Sequence, residues 1–376
     1  MKYGTLILHN GHELDPHTGA LSIPIYQVST FHQHDIDNLG KYGYSRSANP
    51  TREAFENTLA VLENGTHGYA FSSGMAAISS SLAILDQGDH VVATEDIYGG
   101  SYRILTCFFN KFGLTTTFVD MTKLENLEEA IRPNTRAVLM ETPSNPLLKI
   151  TDIVGVVGIA RKHGLLTMID NTFMSPYFLR PLDLGVDIVI HSATKFLGGH
   201  SDVLGGAVIT KSEELASRIY FVQNGFGAVL GPQDCWLLLR GIKTLRARME
   251  LQQQSAMEIA LWLKRQSWVS SVYYPGLSDH PGHEIVKSQA AGFGAVLSFE
   301  TDTLERAKRI MKQVKLWSVA VSLGGVESIL SYPVKMSHAT VPPSERERLG
   351  ITDNLIRLSV GLEDADDLIQ DLDPNH

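Results

Sequence analysis

A chain of 376 residues, 43% hydrophobic and 19% charged, has the apolar content for sizeable cores, and its length suggests two domains. Its net charge of −9 argues against a nucleic-acid surface and against docking on an anionic membrane. Two cysteines, Cys107 and Cys235, lie far apart and outside any CxxC pattern, which excludes a disulfide framework and points to a reducing cytoplasm.

In chain order, the opening MKYGTLILHNGHEL has too short an apolar core for a signal peptide, and no later run approaches a membrane span. Residues 1–50 lack a strong period and are strewn with turn formers such as Gly11, Pro16, Gly19 and Pro24. They read as an N-terminal arm that packs on a neighbouring subunit. From 51 to 240 short apolar runs alternate with helical patterns. Strands are predicted at 69–71, 90–94, 116–120, 136–142, 165–170, 187–191 and 206–210, with helices at 74–85, 124–131 and 152–163. This alternation predicts an α/β large domain with a mostly parallel sheet, whose ligand lies at the carboxyl ends of its strands. Residues 234–266 read as one helical stretch interrupted only by Gly241. Beyond it, strands at 269–274, 295–299 and 356–360 mix with helices at 304–314 and 364–372, predicting a smaller α+β C-terminal domain over 241–376.

Residues suited to chemistry fall where those strands end. Lys195 stands where the buried run Ile188–Ile190 opens through Ser192, Ala193 and Thr194 into Gly198–Gly199. A lysine there either snorkels to the surface or removes the cost of its buried charge by forming a Schiff base with a carbonyl cofactor. Phe71-Ser72-Ser73-Gly74-Met75-Ala76-Ala77 is a strand entering a helix through small residues, either a tightly packed helix start or a phosphate cradle. Asp170 ends the strand LLTMID and caps a turn or holds a pyridine nitrogen protonated. Tyr98, beside Gly99 and Gly100, packs locally or lies flat on a ligand ring. Asn145 sits in a proline-fixed loop after another strand. Arg357, inside the pattern LIRLSV, needs an anionic partner, either a protein carboxylate or a bound one. Ser322 opens the glycine segment SLGGVES, which suits a substrate entrance. The 14 histidines form neither HExxH nor a Cys/His cluster, so no metal site is expected.

Together, YSRSANPTR, FSSGMAA, EDIYGGSYR, ETPSNPLLKITD, IDNTF, HSATKFLGGHSD, SLGGVES and LIRLSVGLE occur in the order seen in the trans-sulfuration family, the pyridoxal-phosphate enzymes of cysteine and methionine metabolism. The resemblance spans about residues 5–372 and is closest to the bacterial cystathionine lyases and γ-synthases. It implies an aspartate-aminotransferase-like (type I) fold and a homotetramer of two catalytic dimers. It implies that Lys195 carries pyridoxal 5'-phosphate, that Asp170 pairs with its ring nitrogen and that Tyr98 stacks on the ring and accepts a proton from the incoming amine. Gly74, Met75, Ser192 and Thr194 would hold the phosphate, with Tyr44 and Arg46 reaching it from the neighbouring subunit. Arg357, Asn145 and Ser322 would bind the amino-acid carboxylate, and Arg103 and Glu327 the far end of cystathionine.

Gly100, where methionine γ-lyases carry cysteine, argues against that branch, whereas Gly43, where many cystathionine-handling relatives carry an acid, leaves a smaller substrate such as cysteine or an acylated homoserine open. The resemblance as a whole implies a lyase cleaving cystathionine, β-elimination ahead of γ-elimination, with γ-replacement on an acyl-homoserine as the alternative. Intact Lys195, Asp170 and Arg357 weigh against a non-catalytic binding protein on the same fold, and the lack of a GxGxxG after a first strand weighs against a dehydrogenase.

Overall fold

A computed structural model of the chain describes residues 1–9, 15, 17–339 and 341–374. Seven strands form the larger sheet: β1 (His67–Phe71), β2 (His90–Thr94), β3 (Thr115–Val119), β4 (Thr135–Glu141), β5 (Leu166–Asp170), β6 (Ile188–Ser192) and β7 (Gly206–Thr210). Their order is β1-β7-β6-β5-β4-β2-β3, and only β7 runs against its neighbours. The mostly parallel sheet expected from the sequence is thus present. Strands β2 and β7 are buried along their whole length, which is why HVVAT and GAVIT read as short apolar runs without alternation. The edge strand β3, TTTFV, is only half-buried and correspondingly rich in threonine.

Register decides where the chemistry gathers. Glu141 of β4 pairs with Asp170 of β5, Asp170 pairs with Ile190 of β6, and Ser192 lies two residues further along that strand. Three neighbouring strands therefore release polar residues at one edge. The helix Gly74–Leu82 opens at the same edge, directly after β1, with the Ser73 hydroxyl accepting from the Ala76 amide at 3.1 Å.

Five strands form the second sheet: β8 (Val269–Tyr273), β9 (Val296–Thr301), β10 (Ser318–Val319), β11 (Ile329–Ser331) and β12 (Leu355–Ser359), in the order β10-β11-β12-β9-β8. Helices Leu245–Leu263, Leu304–Gln313 and Ala365–Leu372 pack on it through Ile259, Ile310 and Leu368, around Trp317 and Phe299. Strands β10 and β11 were not expected; with two and three residues they are too short to show a period.

One other expectation is corrected. The stretch 234–266 is two helices, Pro232–Ile242 and Leu245–Leu263, and the break falls at Lys243–Thr244 rather than at Gly241. Gly241 is required by close packing, since a Cβ there would lie 2.2 Å from the Gly198 carbonyl oxygen. The opening residues contain a helix, Tyr3–His9, that packs on its own chain: Ile7 is buried and the Tyr3 hydroxyl donates to Leu62 O at 2.9 Å. Of the turn formers used for the arm, Gly11 and Pro16 lie outside the described residues.

Candidate active site

The polar strand ends open into a cavity of about 510 Å³ between the two sheets. Lys195 reaches it because the chain turns as soon as β6 ends: the Lys195 amide donates to Ser192 O at 3.2 Å and the Gly199 amide to Lys195 O at 2.8 Å. Its Nζ donates to Ser322 Oγ at 2.6 Å. Burial, aided by the Arg357 guanidinium and opposed by the Asp170 carboxylate, pushes the lysine pKa down to about 8. Ser322 itself has φ 86°, a left-handed conformation that costs a non-glycine residue about 1–3 kcal/mol.

That strain is braced by Arg357, on β12. Its Nη2 donates to Ser322 O at 2.6 Å and Ser331 Oγ at 3.1 Å, and its Nη1 to Asn145 Oδ1 at 2.9 Å. Nε is buried without a hydrogen-bond partner, and among the described residues no carboxylate lies within ion-pair distance. A protein salt bridge is thus not what Arg357 makes. Burial draws its pKa down to about 10. The guanidinium is a desolvated cation with a spare donor, suited to a ligand carboxylate.

Opposite Lys195 lies Asp170, whose Oδ1 accepts from the Thr172 amide at 3.0 Å and its hydroxyl at 2.5 Å. Burial raises its pKa; the Thr172 hydrogen bonds and the charges of His191 and Lys195 work against that rise. Glu141, adjacent in register, is pushed much further up by burial and by Asp170 itself. Burial thus favours the neutral form of Glu141, while the Thr172 hydrogen bonds and the Lys195 charge favour the charged form of Asp170. Glu141 Oε2 also accepts from the Tyr98 amide at 2.8 Å, anchoring the loop that brings Tyr98 to the cavity.

The far end is built from the helix start. Ser73 serves Ala76, so the Gly74 and Met75 amides have no intrahelical acceptor. A Cβ on Gly74 would sit 2.7 Å from Ser192 Cβ, so only glycine lets the helix start approach Ser192 this closely. Thr194 completes the corner, its hydroxyl accepting from the Gly205 amide at 3.0 Å. A doubly charged phosphate fits these donors and the helix dipole, while the Asp170 charge fits a protonated ring nitrogen and Lys195 an aldehyde. Pyridoxal phosphate therefore suits the donor set.

The cavity gathers Gly74, Met75, Tyr98, Arg103, Asn145, Asp170, Ser192, Thr194, Lys195, Ser322 and Arg357. Glu327 lines an adjoining cavity of about 630 Å³ that shares Thr194 and Ser322 with the first, and it accepts from Ser201 Oγ at 3.2 Å. Tyr44 and Arg46 lie outside this chain's own cavity, stacked on each other at 5.4 Å, with Arg46 Nε donating to Asn224 Oδ1 at 3.4 Å. The sequence reading missed Glu141, Thr172 and Ser331 as site residues. In the structure Glu141, like Asp170, closes an apolar strand. Among the described residues, no group of three or more His, Cys, Asp or Glu is arranged to hold a metal ion.

Comparison with known proteins gives a consistent result. The family described as Cys/Met metabolism PLP-dependent enzyme matches residues 4–375. A cystathionine beta-lyase of Bacillus subtilis (strain 168) is 57% identical over 369 residues, covering 98% of this chain and 95% of that protein. A cystathionine gamma-lyase of the same organism is 55% identical over 372 residues, covering 99% and 98%. The crystal structure of cystathionine gamma-lyase from Lactobacillus plantarum complexed with L-serine superposes with a TM-score of 0.97 at 46% identity, covering 100% of this chain and 98% of that one.

Proposed function

The chain belongs to the Cys/Met metabolism PLP-dependent enzymes, and on that premise we propose that it is a carbon–sulfur lyase acting on cystathionine. β-Elimination to homocysteine, pyruvate and ammonia is the preferred course, ahead of γ-elimination to cysteine and 2-oxobutyrate. Relatives named for each reaction are nearly equally similar, at 57% and 55% identity. The observation that carries the reading is the Lys195 amine, buried, drawn to a pKa of about 8 and held 2.6 Å from the Ser322 hydroxyl.

Bound pyridoxal phosphate supplies an electron sink for the charge left when the substrate loses its α-proton. The protein's own groups do the rest. Asp170 would set its carboxylate against the ring nitrogen, and the Gly74 and Met75 amides with Ser192 and Thr194 would hold the phosphate. Arg357, steadied by Asn145 and the Ser322 carbonyl, takes the substrate's α-carboxylate. Tyr98, at the cavity wall, would lie on the ring and take a proton from the incoming amine. Lys195, a base near neutral pH, removes the α-proton. If it stops there, a thiol leaves from Cβ; if it also moves a Cβ proton, the γ-substituent leaves. Arg103 and Glu327 face the distal half of the substrate.

Two further parts of the reading concern assembly and location. The chain forms a cytoplasmic homotetramer, with residues 1–50 as the arm, 51–240 as the cofactor domain and 241–376 as the C-terminal domain, and with Tyr44 and Arg46 completing a neighbour's phosphate site. Two free cysteines and the placement of Arg46 away from its own cavity support this.

Feeding cystathionine to the loaded enzyme and identifying the keto acid tests the reaction. Pyruvate is expected. 2-Oxobutyrate in its place shifts the assignment to γ-elimination, and inertness toward cystathionine with turnover of acyl-homoserine plus cysteine overturns it.

A further inference from the structure

Two buried polar side chains, one helical turn apart on Leu245–Leu263, lie outside both cavities and take no part in the chemistry above. Arg248 is 2% exposed and Gln252 0%. Arg248 has no carboxylate partner among the described residues; its Nη1 donates to Phe196 O at 2.7 Å, its Nη2 to Gly241 O at 2.9 Å and its Nε to Thr244 Oγ1 at 3.0 Å. Gln252 Nε2 donates to Gly325 O at 2.7 Å and to Val360 O at 2.9 Å, while its Oε1 is buried without a partner. Burying a guanidinium without a counter-charge and an amide with an unmet oxygen is costly beside an apolar side chain of the same volume.

The acceptors show what the pair joins. Phe196 follows Lys195 directly. Gly325 belongs to the loop that starts at Ser322, and Val360 follows Ser359, whose hydroxyl accepts from the Gly324 amide at 2.8 Å. That loop lies against the lysine turn so closely that a Cβ on Gly324 would stand 2.7 Å from the Phe196 nitrogen. One helix thus grips the Lys195 turn with Arg248 and the Ser322–Gly325 loop with Gln252.

We propose that Arg248 and Gln252 are positioning residues, a strut that fixes the Ser322 loop relative to Lys195. The strut holds Ser322 in its left-handed conformation, with its hydroxyl on the Lys195 amine and its carbonyl on Arg357. Without Gln252 the Gly325 carbonyl loses its donor, the loop's tie to the helix that also holds the lysine turn; Ser322 relaxes, and the amine and the guanidinium each lose a partner. The inference rests on Lys195 holding the cofactor, as read above, and is independent of which substrate is cleaved.

The test uses the holoenzyme with Gln252→Met, which keeps the volume and removes both donors. Three readouts apply: the pH titration of the cofactor's visible band, amide hydrogen exchange over 323–326, and steady-state kinetics. The titration midpoint is expected to move by about half a pH unit or more as the lysine's hydrogen bonding changes. Exchange over 323–326 rises about tenfold while β9 is unaltered, and kcat falls by about tenfold or more, the scale of a misplaced reacting group. A folded, loaded variant with the native midpoint and native exchange overturns the proposal. Should Gln252→Met not fold, Arg248→Lys, which keeps the charge but cannot span three acceptors, is read in the same way. Failure of both to fold assigns the pair to the scaffold and equally overturns it. A wild-type visible band that survives in Lys195→Ala sinks the cofactor reading itself.

Discussion

Lys195 leaves a trace in stability as well as in catalysis. Its pKa in the folded, cofactor-free chain falls from 10.5 to about 8. Between those values the unfolded chain binds a proton that the folded chain has released, so stability rises with pH across that window and the penalty is fully present below it. The shift corresponds to roughly 3 kcal/mol. Urea unfolding of cofactor-free protein at pH 7 and pH 10 is therefore expected to show a gain that Lys195→Met lacks; the same pH dependence in both proteins would contradict the burial argument. Lys195, Asp170 and Arg357 were legible in the sequence because each puts a charge where the surrounding pattern calls for an apolar residue. Glu141 was not, because the predicted strand ran on to Thr142 and made that carboxylate an interior position, whereas β4 ends on it. Arg357 was legible as a residue in need of a partner, but only its geometry revealed that no protein carboxylate supplies one.

Among the elements, the helix Gly74–Leu82 carries the sharpest steric prediction. Gly74→Val places a Cβ 2.7 Å from Ser192 Cβ and forces the helix start away from β6. The phosphate then loses donors from both, and cofactor affinity is expected to fall by about tenfold or more, since each charge-assisted hydrogen bond contributes roughly 1.5–3 kcal/mol. Equilibrium dialysis checks this, and native affinity would place the phosphate elsewhere. The strands of the large sheet were readable because burial on both faces leaves uninterrupted apolar runs between turn signals. The boundary between Pro232–Ile242 and Leu245–Leu263 was not, because Gly241 looks like a breaker while its role is contact with Gly198, and Lys243–Thr244 gives no local warning of a turn.

At the scale of the whole molecule, large apolar side chains stand in water around the N-terminal segment. Leu21 is 79% exposed, Ile36 87% and Leu39 68%, and Phe221 is 77% exposed on the helix Glu213–Phe226 that Arg46 touches through Asn224. Apolar exposure on this scale suits the contact surface of the proposed assembly. The proposed homotetramer rests on the family resemblance alone, since no local pattern encodes which surface of a second copy would meet this one. If Arg46 serves a neighbour's cofactor, mixing Arg46→Ala with Lys195→Ala chains creates some sites that carry neither defect. Activity above that of either variant alone is the expected outcome, and no recovery on mixing would keep Arg46 out of the site.

A covalent bond between Lys195 and pyridoxal phosphate is central to the proposed chemistry, and borohydride reduction followed by peptide mapping tests it most directly. The reduced cofactor is predicted on the peptide containing His191–Gly199, at Lys195, with loss of the visible band. A label on another lysine, or none on a protein that has taken up the cofactor, would contradict it.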